Sequence, residues 1–436
     1  MSEPVLSAAA PTPPNALAKG TFRSLSVRNY RTWAMGAIVS NIGTWMQRTA
    51  QDWIVLVELT NHNATAVGIV TGLQFGPQLL LLPVTGLAAD HFDRRKLLLI
   101  TQATMGVLAL GLGLLTVFHL VQLWHVYVFA FLLGCAAAFD APARQTFVSE
   151  LVEEAHLSNA VALNSTSFNA ARMIGPAIAG VLIAAIGTGW VFLLNAASFA
   201  GVLLSLTTIR VDELQLREKL GRSSGGFFAG LRYVLGRPDL LLILFMLLMI
   251  GTFAINFPIF ISTMAVSVFH AGASQFGLLS SMMAIGSVAG ALLAARRETP
   301  TMAIIAIGAA AMGVGLTLAA LAPHYLPFGL TLIIVGLAAQ TLTTSSIGKV
   351  QLTTAPVMRG RVMAILMAVT LGTTPLGAPI VGWVADTYGP RWAIGVGAAA
   401  CFIAAAVALF FMSRQPRELG AVARQPETSP SAHSRA

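Results

Sequence analysis

The sequence predicts an all-α membrane protein of twelve transmembrane helices in two six-helix repeats. Three observations carry that prediction. The chain is 56% hydrophobic and 10% charged, it holds twelve apolar runs of spanning length, and its halves share a spacing of Gly, Arg and Trp residues.

The composition comes first because it sets the solvent. Soluble domains carry about 25% charged residues so that their surfaces can face water. With 10% charged and a mean hydropathy of +0.77, this chain has too little polar surface for that and must use lipid for most of its outside. Its net charge of +9 raises the question of a nucleic-acid partner. The basic residues sit at the ends of apolar runs and form no patch interleaved with aromatics, so no nucleic-acid partner is expected. Cys135 and Cys401 lie within apolar runs and suit packing, not a disulfide or metal pair. Residues 1–27 are rich in Ala, Pro and Ser and lack an apolar core with a cleavage site. They are expected to be a cytoplasmic tail, not a secretory signal.

A spanning helix needs about 20 mostly apolar residues. Such runs fall at 30–57, 65–88, 97–118, 122–141, 159–185, 188–208, 240–267, 274–295, 301–322, 326–347, 361–385 and 391–412. Lys and Arg crowd the cytoplasmic side of membrane proteins. Counting alternate connections from the N-terminal tail places 23 of the 26 basic residues on one side. Arg391 alone falls opposite, and Arg48 and Arg172 lie within spans. The asymmetry predicts an even number of spans and two cytoplasmic termini, in a multi-pass protein of the inner (cytoplasmic) membrane.

The longest polar connection divides the chain into bundles at 28–210 and 239–413, with a cytoplasmic linker at 211–238 and a cytoplasmic tail at 414–436. The stretch Phe227 to Leu235 in that linker is partly amphipathic and suits a helix lying on the membrane surface. A shift of 209 residues superposes Arg23 on Arg232, Arg28 on Arg237 and Gly68 on Gly277. A shift of 202 superposes Gly175 on Gly377, Gly180 on Gly382, Gly187 on Gly389 and Trp190 on Trp392. Two registers so close describe one duplicated unit with a small change in loop length. Transporters with repeated halves place their substrate between them, near the midplane.

Charged residues inside spans mark function. In the first span Ser40, Asn41, Thr44, Gln47, Arg48, Gln51 and Asp52 fall on a stripe roughly 140° wide, at about 100° per residue. Such a stripe should face a wet cavity. Arg48 and Asp52 are four apart and can pair, either as a static ion pair or as a proton- or substrate-responsive site. Asp52 is the better proton carrier, because a carboxylate taken out of water can exchange a proton near neutral pH while a guanidinium stays charged. Arg172 lies about mid-bilayer in the fifth span, with Ser165, Asn169 and Pro176 on its face. A charge there costs at least about 2.5–3.5 kcal/mol. The second half offers Asn256 beside Pro258, and Gln340 with Thr341, Thr343 and Thr344, as neutral cavity candidates. Its register position for Arg48 holds Phe257, so charged chemistry is expected in the N-terminal half.

Gly86, Asp90, Arg94, Arg95 and Lys96 close the second span and form the loop to the third. This pattern, a Gly, three residues, an Asp and then Arg-Arg, resembles the loop signature of the major facilitator superfamily. The resemblance implies a cytoplasmic latch of Gly86, Asp90 and Arg94 with an acid at the end of the fourth helix, where Asp140 stands. The equivalent loop near Arg296-Arg297-Glu298 lacks the Gly and Asp. Ala171, Gly175, Pro176, Ala179 and Gly180 resemble the superfamily's antiporter motif, with Ala at two positions where Gly is usual. Physically, the Pro removes a backbone bond and the small residues admit a neighbouring helix.

Thr44-Trp45-Met46-Gln47-Arg48-Thr49-Ala50-Gln51-Asp52-Trp53, then Asp140-Ala141-Pro142-Ala143-Arg144-Gln145, then Ala171-Arg172-Met173-Ile174-Gly175-Pro176 resemble one branch of that superfamily. It is the bacterial transmembrane secretion effectors, which include the enterobactin exporter. The resemblance spans roughly 20–412 and implies the major facilitator fold and export of a siderophore, antibiotic or similar small amphiphile, coupled to the proton gradient. The superfamily's antiporters often carry an Arg inside helix four, and the run at 122–141 has no base. Proton coupling is therefore expected at Asp52 and its neighbours.

The eight His show no metal-ligand spacing, and no phosphate-binding Gly loop ending in Lys-Ser or Lys-Thr is present, so neither an enzyme nor a metal site nor a cofactor is expected. The expected partners are a small-molecule substrate, protons and the lipid bilayer, bound by a monomer. Two rival functions remain open from the sequence: a facilitator or importer of a small nutrient, and a non-transporting membrane scaffold or receptor.

Overall fold

A computed structural model describes residues 22–81, 84–85, 88, 92–215, 227–295 and 300–414. Among the described residues there is no strand. Six long helices come first: α1 (Arg28–Trp53), α2 (Ala64–Leu80), α3 (Arg94–Val117), α4 (Leu123–Glu150), α5 (Glu154–Ile186) and α6 (Thr188–Thr208). The short α7 (Phe227–Leu235) follows, in the stretch where an amphipathic linker helix is expected. Then come α8 (Pro238–Phe253), the short α9 (Phe257–Thr263), α10 (Ala273–Ala295), α11 (Met302–Leu321), α12 (Tyr325–Thr353), α13 (Pro356–Tyr388) and α14 (Pro390–Arg414).

Ten helices among the described residues are long and apolar enough to cross a membrane, with Pro238–Val268 counted as one. The runs at 30–57 and 65–88 form α1 and α2, which fall outside that ten. Helix α1 carries Arg28, Arg31, Arg48 and Asp52, and α2 has 17 residues.

Several helices outrun their apolar cores. Helix α4 continues through Pro142 to Glu150, where the sequence predicts an end at 141, so Arg144 stands inside the fourth helix and not after it. Helix α5 begins at Glu154, α12 ends at Thr353 and α13 runs Pro356–Tyr388. Polar residues at these ends reach beyond the hydrocarbon layer, where hydropathy no longer marks a helix.

The run at 240–267 is broken instead of continuous. Pro258 has no N–H to give, and Asn256 leaves the helical region at φ −96°, ψ 46°. Non-helical backbone at membrane depth is tolerated where protein or a cavity surrounds it. Helix α1 ends in a π-helical turn at Ile54–Leu59, and the second part of the broken helix ends in another at Met264–Val268. Each is followed by a histidine with positive φ, His62 at 60° and His270 at 51°.

Helices α1–α6 pack chiefly on one another: α1 on α5 and α6, α3 on α4 and α6, α2 on α4. In the second group α10 packs on α12, α11 on α12 and α14, and α8 on α13 and α14. Two main seams join the groups, α2 with α13 and α5 with α10. Small residues let backbones meet there. A Cβ added at Gly180 would lie 2.6 Å from the Ala273 carbonyl oxygen and 3.1 Å from Gly277 Cα. One added at Gly277 would strike the Pro176 carbonyl and lie 3.0 Å from Gly180 Cα. Gly277→Val is therefore expected to cost about 1–3 kcal/mol of stability by overpacking. A fall in the detergent melting temperature checks this, and an unchanged value would show a seam loose enough to absorb an isopropyl group.

Both seams lie toward one end of the molecule, the end opposite residues 22 and 414. There the Ser274 hydroxyl donates to the Gly180 carbonyl at 3.3 Å, and the backbone amides of Ala64 and Thr65 donate to the Asp386 carboxylate. Toward the terminal end, Val161 and Phe168 of α5 are each 47% exposed and face a cavity.

Candidate substrate cavity

The polar stripe of α1 is divided by its neighbours. Ser40, Asn41, Gln47 and Gln51 are buried against other helices of the first group, whereas Arg48 and Asp52 line a cavity between the groups. Gln47 accepts a hydrogen bond from the Asn195 amide of α6. The Gln51 carbonyl oxygen accepts from Gln74 Nε2 of α2 at 2.7 Å, and Gln51 Nε2 has no partner. The stripe thus serves packing on one side and solvent on the other, since a stripe 140° wide is broader than the cavity it meets.

That cavity encloses about 240 Å³. Trp45, Arg48 and Asp52 of α1, Gln74 and Phe75 of α2 and Arg172 of α5 form one wall. The second group supplies the break at Ile255–Pro258, Phe276, Ser280 and Met283 of α10, and Thr374 of α13. Arg48 and Phe75 also line a wider cavity of about 690 Å³. All the residues around that one belong to α1–α5, among them Asp140, Arg144 and Asn169. The narrow space between the groups therefore widens toward the terminal end, where, among the described residues, the second group adds nothing to the lining.

Arg48 and Asp52 do not pair. Among the described residues the ion pairs are Arg94–Glu150, Arg144–Asp140, Arg210–Glu213 and Arg237–Asp239. The Arg48 guanidinium carbon instead sits 4.9 Å from the Trp45 ring centroid and 5.1 Å from that of Phe75. Two aromatic faces hold the cation by their quadrupoles and leave its N–H groups free for another partner. Arg172 reaches across to the second group, where its Nη2 donates to Gln340 Oε1 at 3.4 Å, and Gln340 Nε2 donates to Thr344 Oγ1 at 3.1 Å. Two residues chosen 168 positions apart in sequence thus meet.

Asn256 is 1% exposed and stands at the helix break. Its amide donates to the Thr252 carbonyl at 2.7 Å, and its side-chain oxygen has no partner. Asn169 donates to the Ser165 carbonyl at 2.8 Å. Gly175 packs against Trp45, where an added Cβ would come within 2.6 Å of the Trp45 Cβ. Together with Pro176 and Gly180, it seats α5 between α1 and α10.

Two of the four expected latch residues, Arg94 and Asp140, fall within the described residues. Gly86 and Asp90 lie outside the described residues. Arg94 pairs with Glu150, and Asp140 is bound by Arg144, one helical turn along α4 at 2.9 Å. Because α4 runs nine residues beyond its apolar core, the acid at its end is Glu150, not Asp140. Sequence reasoning missed Glu150 for want of the helix end, and missed the Trp45 and Phe75 rings because aromatic residues are common in any span. Among the described residues no group of three His, Cys, Asp or Glu could hold a metal ion.

The family model for the transmembrane secretion effectors matches residues 19–433. The chain belongs to that family. This secretion effector is 25% identical over 355 residues to the staphyloferrin A transporter of Staphylococcus aureus, covering 80% of this chain and 87% of that protein. It is 26% identical to the multidrug efflux pump Tap of Mycolicibacterium fortuitum, over 81% of this chain and 88% of the pump. The enterobactin exporter of Shigella flexneri matches at 27% over 55% of this chain and 56% of its own length. A solved bacterial homologue of the human lysosomal transporter Spinster superposes with a TM-score of 0.73 at 14% identity, covering 88% of this chain and 97% of that one. The secretion effector is thus a multi-pass transporter of the major facilitator superfamily, and not an enzyme.

Proposed function

We propose that the protein is a proton-coupled antiporter that exports a small amphiphilic solute, such as a siderophore, antibiotic or drug-like molecule, by alternating access. In this reading twelve helices span the inner membrane as two six-helix bundles, 28–210 and 239–413, both termini face the cytoplasm, and one copy suffices. The observation that carries it is the cavity between the groups, shut by two glycine-rich seams at one end and, among the described residues, wider toward the other. It holds Arg48, Asp52 and Arg172, none in an ion pair within the described residues. Unpaired charges at membrane depth are costly, and cells retain them for transport pathways. The mixture of Trp45, Phe75, Phe276 and Met283 with those charges suits an amphiphile. The relatives named as an enterobactin exporter and a multidrug efflux pump favour export over import.

Asp52 is the proposed proton carrier. Its carboxylate has the Arg48 guanidinium one turn away yet makes no ion pair with it, so a proton can bind and leave without first breaking a contact. The test is purified protein in sealed liposomes with an imposed pH gradient, an internal pH dye and a panel of siderophore and drug-like amphiphiles. The wild-type protein is expected to release protons down the gradient when a transported amphiphile is supplied. Asp52→Asn is expected to lose at least about ten-fold of that coupled flux while still exchanging labelled amphiphile across both faces. Full gradient-driven flux in Asp52→Asn would remove Asp52 from the mechanism, and uptake without export would reverse the direction.

A further inference from the structure

Asp386 stands near the C-terminal end of α13, in the second group, and its carboxylate does not stay there. Oδ1 accepts the backbone N–H of Ala64 at 2.7 Å, and Oδ2 accepts that of Thr65 at 2.8 Å together with the Thr65 hydroxyl at 2.5 Å. Ala64 and Thr65 are the first two residues of α2, in the other group. The first amides of a helix have no partner inside it, and the helix dipole favours a negative charge at that end. Helix α2 already has its own cap, since Asn63 Oδ1 accepts from Ala66 N at 2.8 Å. Asp386 therefore supplies a second cap, and supplies it across the seam. The approach is tight around it: an added Cβ at Gly382, one turn earlier, would lie 2.5 Å from the Ala64 carbonyl and 2.8 Å from Thr65 Cα. Among the described residues no cation forms an ion pair with Asp386.

We infer that Asp386 is the lock of the gate at the end away from the termini. For a transporter working as proposed above, opening that end requires α2 and α13 to separate. Separation strips the carboxylate from two backbone amides and a hydroxyl, while Asn63 keeps its own bond on α2. Asp386 thus stabilises the closed arrangement alone, whereas Asn63 stabilises α2 in both. The two caps on one helix end give a built-in comparison: Asp386 accepts three hydrogen bonds and Asn63 one, and only those of Asp386 are lost on opening.

The experiment uses the full chain with Cys135→Ser and buried Cys401 left in place. One pair of spin labels, on Leu120→Cys and Leu321→Cys, reports the locked end, where both side chains are exposed. A second pair, on Phe92→Cys and Val357→Cys, reports the other end, again at exposed residues. Asp386→Ala is expected to raise the ratio of long to short distances at the locked end about ten-fold, with a matching shortening at the other pair. Asp386→Asn is expected to fall between, and Asn63→Ala to leave the ratio within about two-fold of wild type. Unchanged distances in folded Asp386→Ala, or an equal shift in Asn63→Ala, overturns the lock. The readout needs no substrate, so a shifted gate in a protein without coupled flux would sink the antiport reading and leave the lock standing.

Discussion

Replacing Asp140 by Leu is expected to cost about 3 kcal/mol of stability, because it leaves a partly buried guanidinium without its counter-charge and two buried donors, Thr101 and Gln102, without their acceptor. Asp140 is 6% exposed and receives four hydrogen bonds from three side chains. Thr101 Oγ1 and Gln102 Nε2 of α3 donate to Oδ1 at 2.9 and 2.6 Å, and Arg144 Nε and Nη2 donate to Oδ2 at 3.0 and 2.9 Å. Arg144 Nη1 goes on to Asn41 Oδ1 of α1 at 3.0 Å. Three helices of the first group are therefore tied through one carboxylate. In Asp140→Leu the three donors keep their desolvation cost and lose their acceptor, and a low-dielectric surround makes each loss larger. The measurement is thermal or denaturant unfolding in detergent. Removing the charge pair together, as Asp140→Leu with Arg144→Met, is expected to recover most of the loss, since replacing both ions by apolar groups is close to neutral. A double variant as unstable as the single one would show that the neutral donors Thr101 and Gln102, and not the Arg, set the cost.

The same residue shows what the sequence could and could not tell. The family resemblance marked it, as the acid expected at the end of the fourth helix. Its partner depends on where α4 ends, and α4 ends nine residues past the point where its apolar run stops. An extra two turns of polar helix put Arg144 beside Asp140 and carry Glu150 to Arg94. The broad plan was legible because lipid forces it: apolar runs, basic loops and spaced glycines all answer to the bilayer. Arg172 was legible because a charge breaks the apolar pattern at mid-span; it lines the cavity and reaches Gln340, a neutral candidate that is not part of the cavity lining, at 3.4 Å. Asp386 breaks its pattern too, but at a helix end, where an acid before a loop looks ordinary. Its use is visible only once α2 lies against α13. The pairing of Arg48 with Asp52 went the other way. Helical spacing allows it, and the rings of Trp45 and Phe75, the second one 27 residues on, take the cation instead.

Replacing Arg48 by Leu is expected to leave the protein at least as stable and to lower transport roughly ten- to hundred-fold. The two effects have one cause. Arg48 makes no ion pair among the described residues, and its guanidinium lies against the two aromatic faces of Trp45 and Phe75. Two cation–π contacts contribute about 0.5–2 kcal/mol each, against an insertion cost of about 2.5–3.5 kcal/mol for the charge. The balance is near zero, and a Leu between Trp45 and Phe75 exchanges it for apolar packing. Transport has no such substitute. A charge-assisted hydrogen bond to solute contributes about 1.5–3 kcal/mol, which is roughly one to two decades of affinity. Arg48→Lys separates the two properties of the side chain. It keeps a positive charge but not the flat plate that fits between two rings, and so is expected to retain part of the flux with weaker solute binding. Parallel melting curves and vesicle flux for wild type, Arg48→Leu and Arg48→Lys make the check. A large drop in melting temperature for Arg48→Leu would make Arg48 a structural residue. Full flux in Arg48→Leu would mean that solute reaches the far side without touching a cation that lines both the narrow and the wide part of the cavity.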